Sequence, residues 1–573
     1  MMAAAVVGID IGTTSVKAGL CRLDGSFAGL ATAALHLERG VDGAVSQDLD
    51  QVYGVVAETV RGLMASRPAG AGPVLAMAVT GQMAGVGLVD AAHRPVAAYD
   101  SWLDTRCAAV LDGLDPELAA AIEAKSGCAP TISAGPKLAW WAGRRSDAVS
   151  TAAKAVTLAG YVAGKAVGLA GEEAIIDPTY LHFVSVADTA KGRWERELAD
   201  GLGVPWRWLP RIVPCEQVIG QLTPDAAALF GLPSGLPVAA GCGDTAAAAV
   251  GAGVLRPGQA FDVAGTAAVF GVRLGAFAAD PGGTLLTMRM PLDQLTPAGA
   301  KPSPDAGAEC VALGYVGGGG ELIDWLTRVV FGHDRLDQAA YADLAAAGAR
   351  ARADAGLLIS PHFSGRVCPA APAMRGAVIG LTPAHGRPEL ARAAMEAVAF
   401  EYRGYLEAAL ALTAPAVSVA PTESPVPAAS VGSSGSPVPT APTAPSASPA
   451  STTHATSVPP SLARPGQGGD AGDPGPGGGE VIGMGGGAQL SFWNQLKADV
   501  LAMPYRPLVE PDSGVRGIAA VAAAAVGETM PPPPAEAYGP VAQPRPNEAL
   551  EARFADYQRW MDVLARQFET TGP

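Results

Sequence analysis

Apolar residues open the chain as a short run at 5–12. Two β-branched or alternating segments follow at 14–23 and 28–37, parted by the turn dipeptide Asp24-Gly25. Alternation with period two around a tight turn predicts strands, so the chain should begin as an antiparallel meander. At Asp48 the period changes. Leu49, Val52, Val56, Val60 and Leu63 recur at helical spacing, and Gln51 stands three residues after Asp48 as in a capping box. A buried strand returns at 74–80. After Gly251 the cycle restarts with paired strands at 260–264 and 267–272, a helix at 320–330, an Ala- and Leu-rich helix at 392–411 and a strand at 480–482. The last stretch, 548–568, places Leu550, Phe554, Tyr557, Met561, Leu564 and Phe568 on one helical face. The pattern predicts an α/β protein in two halves, each opening with a Gly-Thr hairpin.

Composition refines this picture. The chain is long enough, at 573 residues, for two large domains. Its 72 glycines and 49 prolines crowd into two places. Residues 412–478 form a Pro/Ser/Thr/Ala tract and a Gly-rich run, and between Glu407 and Arg464 the only charged side chain is Glu423. Such a segment has no apolar face to offset the entropy of ordering it, so it reads as a disordered insertion. The second concentration, 531–546, reads as a stiff connector before the final helix. A net charge of −15 without a basic block repels nucleic-acid phosphates and anionic lipid. No apolar run reaches the ~20 residues of a membrane span, and the N-terminus lacks a basic signal region. These features point to the cytoplasm. The seven cysteines (Cys21, Cys107, Cys128, Cys215, Cys242, Cys310, Cys368) form no C-x-x-C pair and predict reduced, buried thiols.

Candidate chemistry sits in the turns. In Gly8-Ile9-Asp10-Ile11-Gly12-Thr13-Thr14-Ser15-Val16-Lys17 a carboxylate ends a buried strand and a Gly-Thr-Thr turn follows. Glycine lets backbone N–H groups approach a phosphate, hydroxyls add donors, and the Asp is placed to hold Mg²⁺ through water. The same residues also suit an ordinary tight hairpin whose Asp bonds its own turn. Val263-Ala264-Gly265-Thr266-Ala267 repeats the strand-Gly-Thr pattern. Gly483-Met484-Gly485-Gly486-Gly487-Ala488 lies between a strand and a helix, where backbone can meet a nucleotide. Ala240-Gly241-Cys242-Gly243-Asp244-Thr245-Ala246 sets an Asp in a glycine turn before an Ala-rich helix, either as an N-cap or as a reactive carboxylate.

These segments together resemble the FGGY carbohydrate kinase family of the actin, hexokinase and heat-shock chaperone ATPase superfamily. Gly376-Ala377-Val378-Ile379-Gly380-Leu381, Glu389-Leu390 and Ala393-Ala394-Met395-Glu396 match its C-terminal signature. Pro136-Lys137-Leu138-Ala139-Trp140 is similar to the N-terminal one, and Ser101-Trp102-Leu103-Asp104-Thr105-Arg106 resembles the W-x-D-x-R sugar motif. Within the family the chain is most similar to xylulokinases. The resemblance implies two ribonuclease-H-like domains around a catalytic cleft: 1–251 on the sugar side with the catalytic base, 252–529 on the nucleotide side carrying the insertion, then 530–573 as connector and helix, with a hinge near Gly251. It implies Asp244 as base and Asp10 as the metal-side acid, both holding Mg²⁺ through water. Gly12, Thr13, Thr14 and Lys17 would face the γ-phosphate of ATP, Gly265 and Thr266 the second phosphate turn, and Gly320, Gly486 and Gly487 the adenosine. Gln82, Met83, Ala84, Trp102, Asp104, Arg106 and Asp244 would meet the sugar, although Asp104 and Arg106 also read as an ion pair.

Departures bear on the substrate. In Thr80-Gly81-Gln82-Met83-Ala84-Gly85 the resembled xylulokinases carry histidine where this chain has Ala84. Ser364-Gly365-Arg366 lacks the glutamate of S-G-E-R, and Gln489 replaces the lysine of G-G-G-A-K. The expectation is an ATP-dependent kinase for a small sugar, D-xylulose first and ribulose, gluconate or a glycerol-like polyol next, acting as a homodimer without nucleic-acid or membrane partners. A non-catalytic nucleotide-binding protein whose tract recruits partners is the competing class. Trp140, Trp141, Trp206 and Trp208 read as packing.

Overall fold

The computed structural model describes residues 4–68, 70–144, 147–264, 268–291, 309–352, 356–413, 479–510 and 512–571. The Gly265-Thr266 turn and residues 414–478 of the Pro/Ser/Gly-rich tract lie outside them.

The opening meander forms as its alternation predicts. Strands β1 (Ala5–Ile11), β2 (Ser15–Arg22) and β3 (Phe27–Ala34) pair antiparallel in succession. Helix α1 (Leu49–Ala65) starts at Asp48, whose carboxylate accepts from the Gln51 backbone N–H. Strand β4 (Val74–Gly81) returns parallel to β1. Further on come α2 (Leu158–Val167), β5 (Val218–Gln221), β6 (Pro237–Ala239) and α3 (Asp244–Gly251). The sheet order is β5-β6-β4-β1-β2-β3. Pleating splits β1 cleanly. Ala5, Val7, Ile9 and Ile11 join the core shared with α1 and α2, while Val6 faces a second core.

The second half repeats the plan. Strands β7 (Ala260–Ala264), β8 (Ala268–Leu274), β9 (Leu286–Arg289) and β10 (Cys310–Val316) precede helices α4 (Gly319–Trp325), α5 (Gln338–Arg350) and α6 (Arg387–Thr413). They are followed by β11 (Val481–Gly485), α7 (Ser491–Leu501), β12 (Tyr505–Pro507), α8 (Ser513–Ala524) and α9 (Glu548–Thr571). Sheet order β9-β10-β8-β7-β11-β12 mirrors the first sheet: an antiparallel meander beside parallel strands. This is the two-domain, ribonuclease-H-like architecture.

Three details differ from the sequence pattern. The helix expected at 320–330 begins at Gly319 and widens after Trp325 into a π-helical turn, Leu326–Phe331, which buries Leu326 and Thr327. The strand expected to stop at Ile482 runs on to Gly485. Its glycines fit where a Cβ would strike the Tyr505 hydroxyl at 2.0 Å (Gly483) or the Ala264 carbonyl at 2.5 Å (Gly485). The 531–546 connector is docked, since Ala542 bridges Tyr505 and the Tyr538 hydroxyl donates to the Ala252 carbonyl at 2.9 Å.

Helices α3 and α8 occupy the space between the sheets. A Cβ on Gly251 would sit 1.8 Å from the Ser513 carbonyl oxygen, and one on Gly517 1.8 Å from that of Ala247, so the two backbones touch. Val515, Ile518 and Ala519 share one core with Val6, Ala76 and Ala78 of the first sheet and Phe261, Ile482 and Met484 of the second. Helix α9 closes the far side of the second domain by packing Phe554 and Tyr557 on Phe400.

Candidate active site

Strand register assembles the carboxylates. Asp10 at the end of β1 lies beside Thr80 of β4, and Thr80 lies beside Cys242. The Thr80 hydroxyl donates to the Cys242 carbonyl at 2.7 Å, and the Gly243 N–H donates to Thr179 Oγ1 at 2.8 Å. Gly241, at φ +85°, brings this turn to where a Cβ would lie 1.9 Å from the Val79 carbonyl oxygen. The turn therefore sits on β4, and Asp244 emerges over the ends of β1 and β4 as the first residue of α3. Gly243 takes the cap position. One Asp244 oxygen accepts from the Thr245 N–H at 2.6 Å and the Thr245 hydroxyl at 3.2 Å.

Both carboxylates are half-buried. Burial, followed by the Asp244 charge, pushes the Asp10 carboxyl up to about 7, with Lys17 opposing. Burial raises Asp244 to about 6 against its bonds to Thr245. Lys17, opposite Asp10 in the hairpin, pairs with Asp512, which precedes α8 at φ 65°. A Cβ on Gly514 would lie 2.8 Å from Asp10 Oδ2, so the N-terminus of α8 abuts this carboxylate. Two helix N-termini and the Gly12-Thr13-Thr14 turn, closed by Gly12 N–H to Ser15 O at 2.9 Å, converge on the same space.

The hairpin is tied to Trp102, Gln47, Gln82 and Ser101. Trp102 Nε1 donates to Thr13 Oγ1 at 3.0 Å. Gln47 Nε2 donates to the Thr13 carbonyl at 3.2 Å, Gln82 Nε2 to Gln47 Oε1 at 2.6 Å, and Ser101 Oγ to Gln82 Oε1 at 3.2 Å. Gln82, 2% exposed, is thus committed to a buried relay behind the hairpin. The Thr13 hydroxyl accepts from Trp102, which leaves its own proton free to donate. Thr13→Val is accordingly expected to lower kcat/KM for ATP by about 10–100-fold, the size of one hydrogen bond to a charged group, with Thr13→Ser close to wild type. Initial rates against ATP concentration test this, and an unchanged ATP profile with a lower melting temperature would return the hairpin to a purely structural role.

Met83 packs under the turn that carries Asp244, since a Cβ on Gly243 would lie 2.5 Å from its sulfur. Ala84 adopts φ +61°, and its carbonyl accepts from Lys137 Nζ at 3.2 Å. Asp104 and Arg106 form the ion pair that was one of their two readings. Asp104, 1% exposed, accepts from Arg106 Nε at 2.8 Å and the Val45 N–H at 2.9 Å. It orients Arg106, whose guanidinium also reaches Asp100 at 2.5 Å and lies 4.5 Å over the Trp140 ring. Trp141 Nε1 donates to Asp100 at 2.7 Å, so the tryptophan pair does more than fill space. Burial lifts Asp100 to about 6 and drives the Lys137 ammonium down to about 8.

In the second domain, Gly486 and Gly487 form the turn after β11. A Cβ on Gly486 would lie 3.2 Å from the Tyr341 ring, and one on Gly487 2.7 Å from the Ala264 methyl. Gly320 lies in the first turn of α4. Gly265 and Thr266 lie outside the described residues. Sequence reasoning missed Gln47, Asp100 and Asp512, which no motif marks. Lys137 stood inside a quoted motif without a role.

A model of the N-terminal domain of the FGGY family of carbohydrate kinases matches residues 5–251, and the model of its C-terminal domain matches residues 304–526. A glycerol kinase from Xanthobacter autotrophicus is 31% identical over 417 residues, covering 70% of this chain and 78% of that protein. A xylulose kinase from Klebsiella pneumoniae is 26% identical over 403 residues, covering 69% and 76%. Among solved structures, xylulose kinase from Rhodospirillum rubrum matches with TM-score 0.74 at 23% identity over 99% of this chain and 100% of that one. Plasmodium falciparum glycerol kinase with ADP matches with TM-score 0.73 at 14% identity over 98% of each chain. The chain belongs to the FGGY family of carbohydrate kinases and is an ATP-dependent phosphotransferase.

Proposed function

We propose that the protein transfers the γ-phosphoryl group of ATP to a hydroxyl of a small ketose, with D-xylulose the first acceptor to test. The observation that carries this reading is the convergence of Asp10 and Asp244 between the Gly-Thr hairpin and two helix N-termini. Asp244 accepts the acceptor's proton as its oxygen attacks. Phosphoryl transfer is mostly positioning and charge neutralisation, so one base among aligned donors suffices. Gly12, Thr13 and Thr14 offer N–H and hydroxyl donors to the γ-phosphate, and Gly486 and Gly487 leave room for the adenosine.

The residues also fit Mg²⁺. The described residues hold no group of three or more His, Cys, Asp or Glu side chains able to enclose a metal, which suits an ion that keeps water and phosphate oxygens and takes few carboxylates. Asp10 and Asp244 would hold it, and when bound it neutralises phosphate charge. Trp102 and Arg106 line the acceptor side. Ala84 leaves space where the resembled xylulokinases carry histidine, and glycerol kinases stand among the relatives, so polyols form the second substrate class. Seven buried free thiols support a reducing compartment such as the cytoplasm. None of the described helices is long and apolar enough to cross a membrane.

Coupled ADP release with a panel of ketoses, aldonates and polyols tests the reading. Stimulation by a ketose above all others supports it, whereas stimulation by glycerol alone would replace the ketose assignment. With an acceptor in hand, kcat/KM should fall as pH drops into the carboxylate range, because Asp244 acts as an anion and burial holds its carboxyl and that of Asp10 above the ordinary value in the metal-free protein. A profile flat down to pH 5 would remove Asp244 from the proton transfer.

A further inference from the structure

Three phenols lie in the field of the Asp244 carboxylate: Tyr99, Tyr180 and Tyr315. Tyr99 and Tyr180 are buried within the first domain, and Tyr180 spends its hydroxyl on the Gly81 carbonyl at 2.8 Å. The Tyr99 hydroxyl also lacks a partner but is sealed inside the first domain, whereas Tyr315 differs in both burial and origin. It comes from β10 of the second domain and is only half-buried. Its hydroxyl makes no hydrogen bond to any described residue.

The backbone fixes where this ring stands. Tyr315 pairs with Val269 near the start of β8, the strand that follows the second Gly-Thr turn. Its carbonyl accepts from the Tyr405 hydroxyl at 3.2 Å, which pins the strand end from behind. Its ring meets Trp102 edge to face, with centroids 6.5 Å apart and planes at 82°. Trp102 in turn holds the Thr13 hydroxyl at 3.0 Å. A side chain of the second domain thus reaches the same indole that bonds the Thr13 hydroxyl, and its own phenol has no hydrogen-bond partner among the described residues.

We propose that Tyr315 is a specificity-determining residue of the acceptor site: its hydroxyl donates to an acceptor hydroxyl beside the one attacked, and its ring limits the length of acceptor that fits against Trp102. The proposal rests on Asp244 being the base next to the acceptor. A site built to hydrogen-bond a hydroxyl rejects the analogue lacking it strongly, because the site's own polar group is left unpaired. An unpaired phenol beside the base is such a group. The second domain supplies it, so discrimination is complete only when the two domains face each other.

The test compares acceptors within each enzyme preparation, because a ratio cancels any loss of folded protein. Wild type, Tyr315→Phe and Tyr315→Ala are assayed for kcat/KM with three-, five- and six-carbon acceptors and with mono-deoxy analogues of the preferred one, alongside Asp244→Asn. Tyr315→Phe is expected to reduce discrimination against one deoxy analogue at least tenfold. Tyr315→Ala is expected to raise the six-carbon to five-carbon ratio at least fivefold. Ratios within twofold of wild type in both variants would overturn the proposal even if total activity fell. If Asp244→Asn kept its activity, the base assignment would fall and the proposal with it, a result separate from unmoved ratios.

Discussion

Asparagine in place of Asp244 should cost about 10²–10⁴-fold in kcat while leaving acceptor affinity within a few-fold, since the amide keeps the shape and cannot take a proton. That loss corresponds to roughly 3–5 kcal/mol of transition-state stabilisation. The same substitution should stabilise the fold at neutral pH. A folded-state pKa of about 6, raised above the ordinary value of 3.8 by burial, means that the neutral carboxyl is the better-tolerated form. Stability from this group is full below the unfolded pKa and is lost as pH rises through about 6. In metal-free buffer the variant should therefore melt higher than wild type at pH 8, and the difference should vanish near pH 4. Rate and melting curves on one preparation check both. More than about a tenth of wild-type kcat would end the assignment, and equal melting temperatures at pH 8 would contradict the burial argument.

The largest stability effect is expected from a group outside the site. Asp262 on β7 and Lys497 on α7 are both fully buried and paired with each other. The Tyr402 and Tyr505 hydroxyls each donate to the same carboxylate at 2.7 Å, and the ammonium lies 4.4 Å from the Trp493 ring centroid. Burial lowers the Lys497 pKa, with Asp262 opposing. Removing one partner strands the other charge in the core, which typically costs 3–5 kcal/mol. Lys497→Met should lose about that much in denaturant unfolding. Adding Asp262→Asn should recover a good part, because the amide carries no charge, its oxygen accepts from one tyrosine hydroxyl and its N–H can donate to the other. A single-variant loss under about 1 kcal/mol would mean that water or rearrangement reaches the pair.

Local features were readable because their causes are local. The opening hairpins follow from period-two alternation around Asp24-Gly25. Asp48 with Gln51 announced α1, and the spacing of Leu550 through Phe568 announced α9. Motif glycines were readable because a Cβ is excluded there, as at Gly241. What stayed hidden depends on residues brought together from far apart in the chain. Asp512 meets Lys17 across nearly the whole sequence, and Gln47 matters only because Gln82 and Thr13 fold around it. Tyr315 looks like any strand aromatic until Trp102 arrives from the other domain. The ion pair of Asp104 and Arg106 needed coordinates too, since both readings use the same two residues.

The position of α8 bears on how the chain is made. Residues 513–524 lie near the end of the sequence, yet they cover β1 of the first sheet, where a Cβ on Gly8 would lie 2.5 Å from the Val515 carbonyl oxygen. A ribosome that has released only the first 251 residues has therefore produced a sheet with Val6, Ala76 and Ala78 bare on one face. That face stays open until residue 524 has left the ribosome, and until then the nascent first domain presents an apolar surface to the cell.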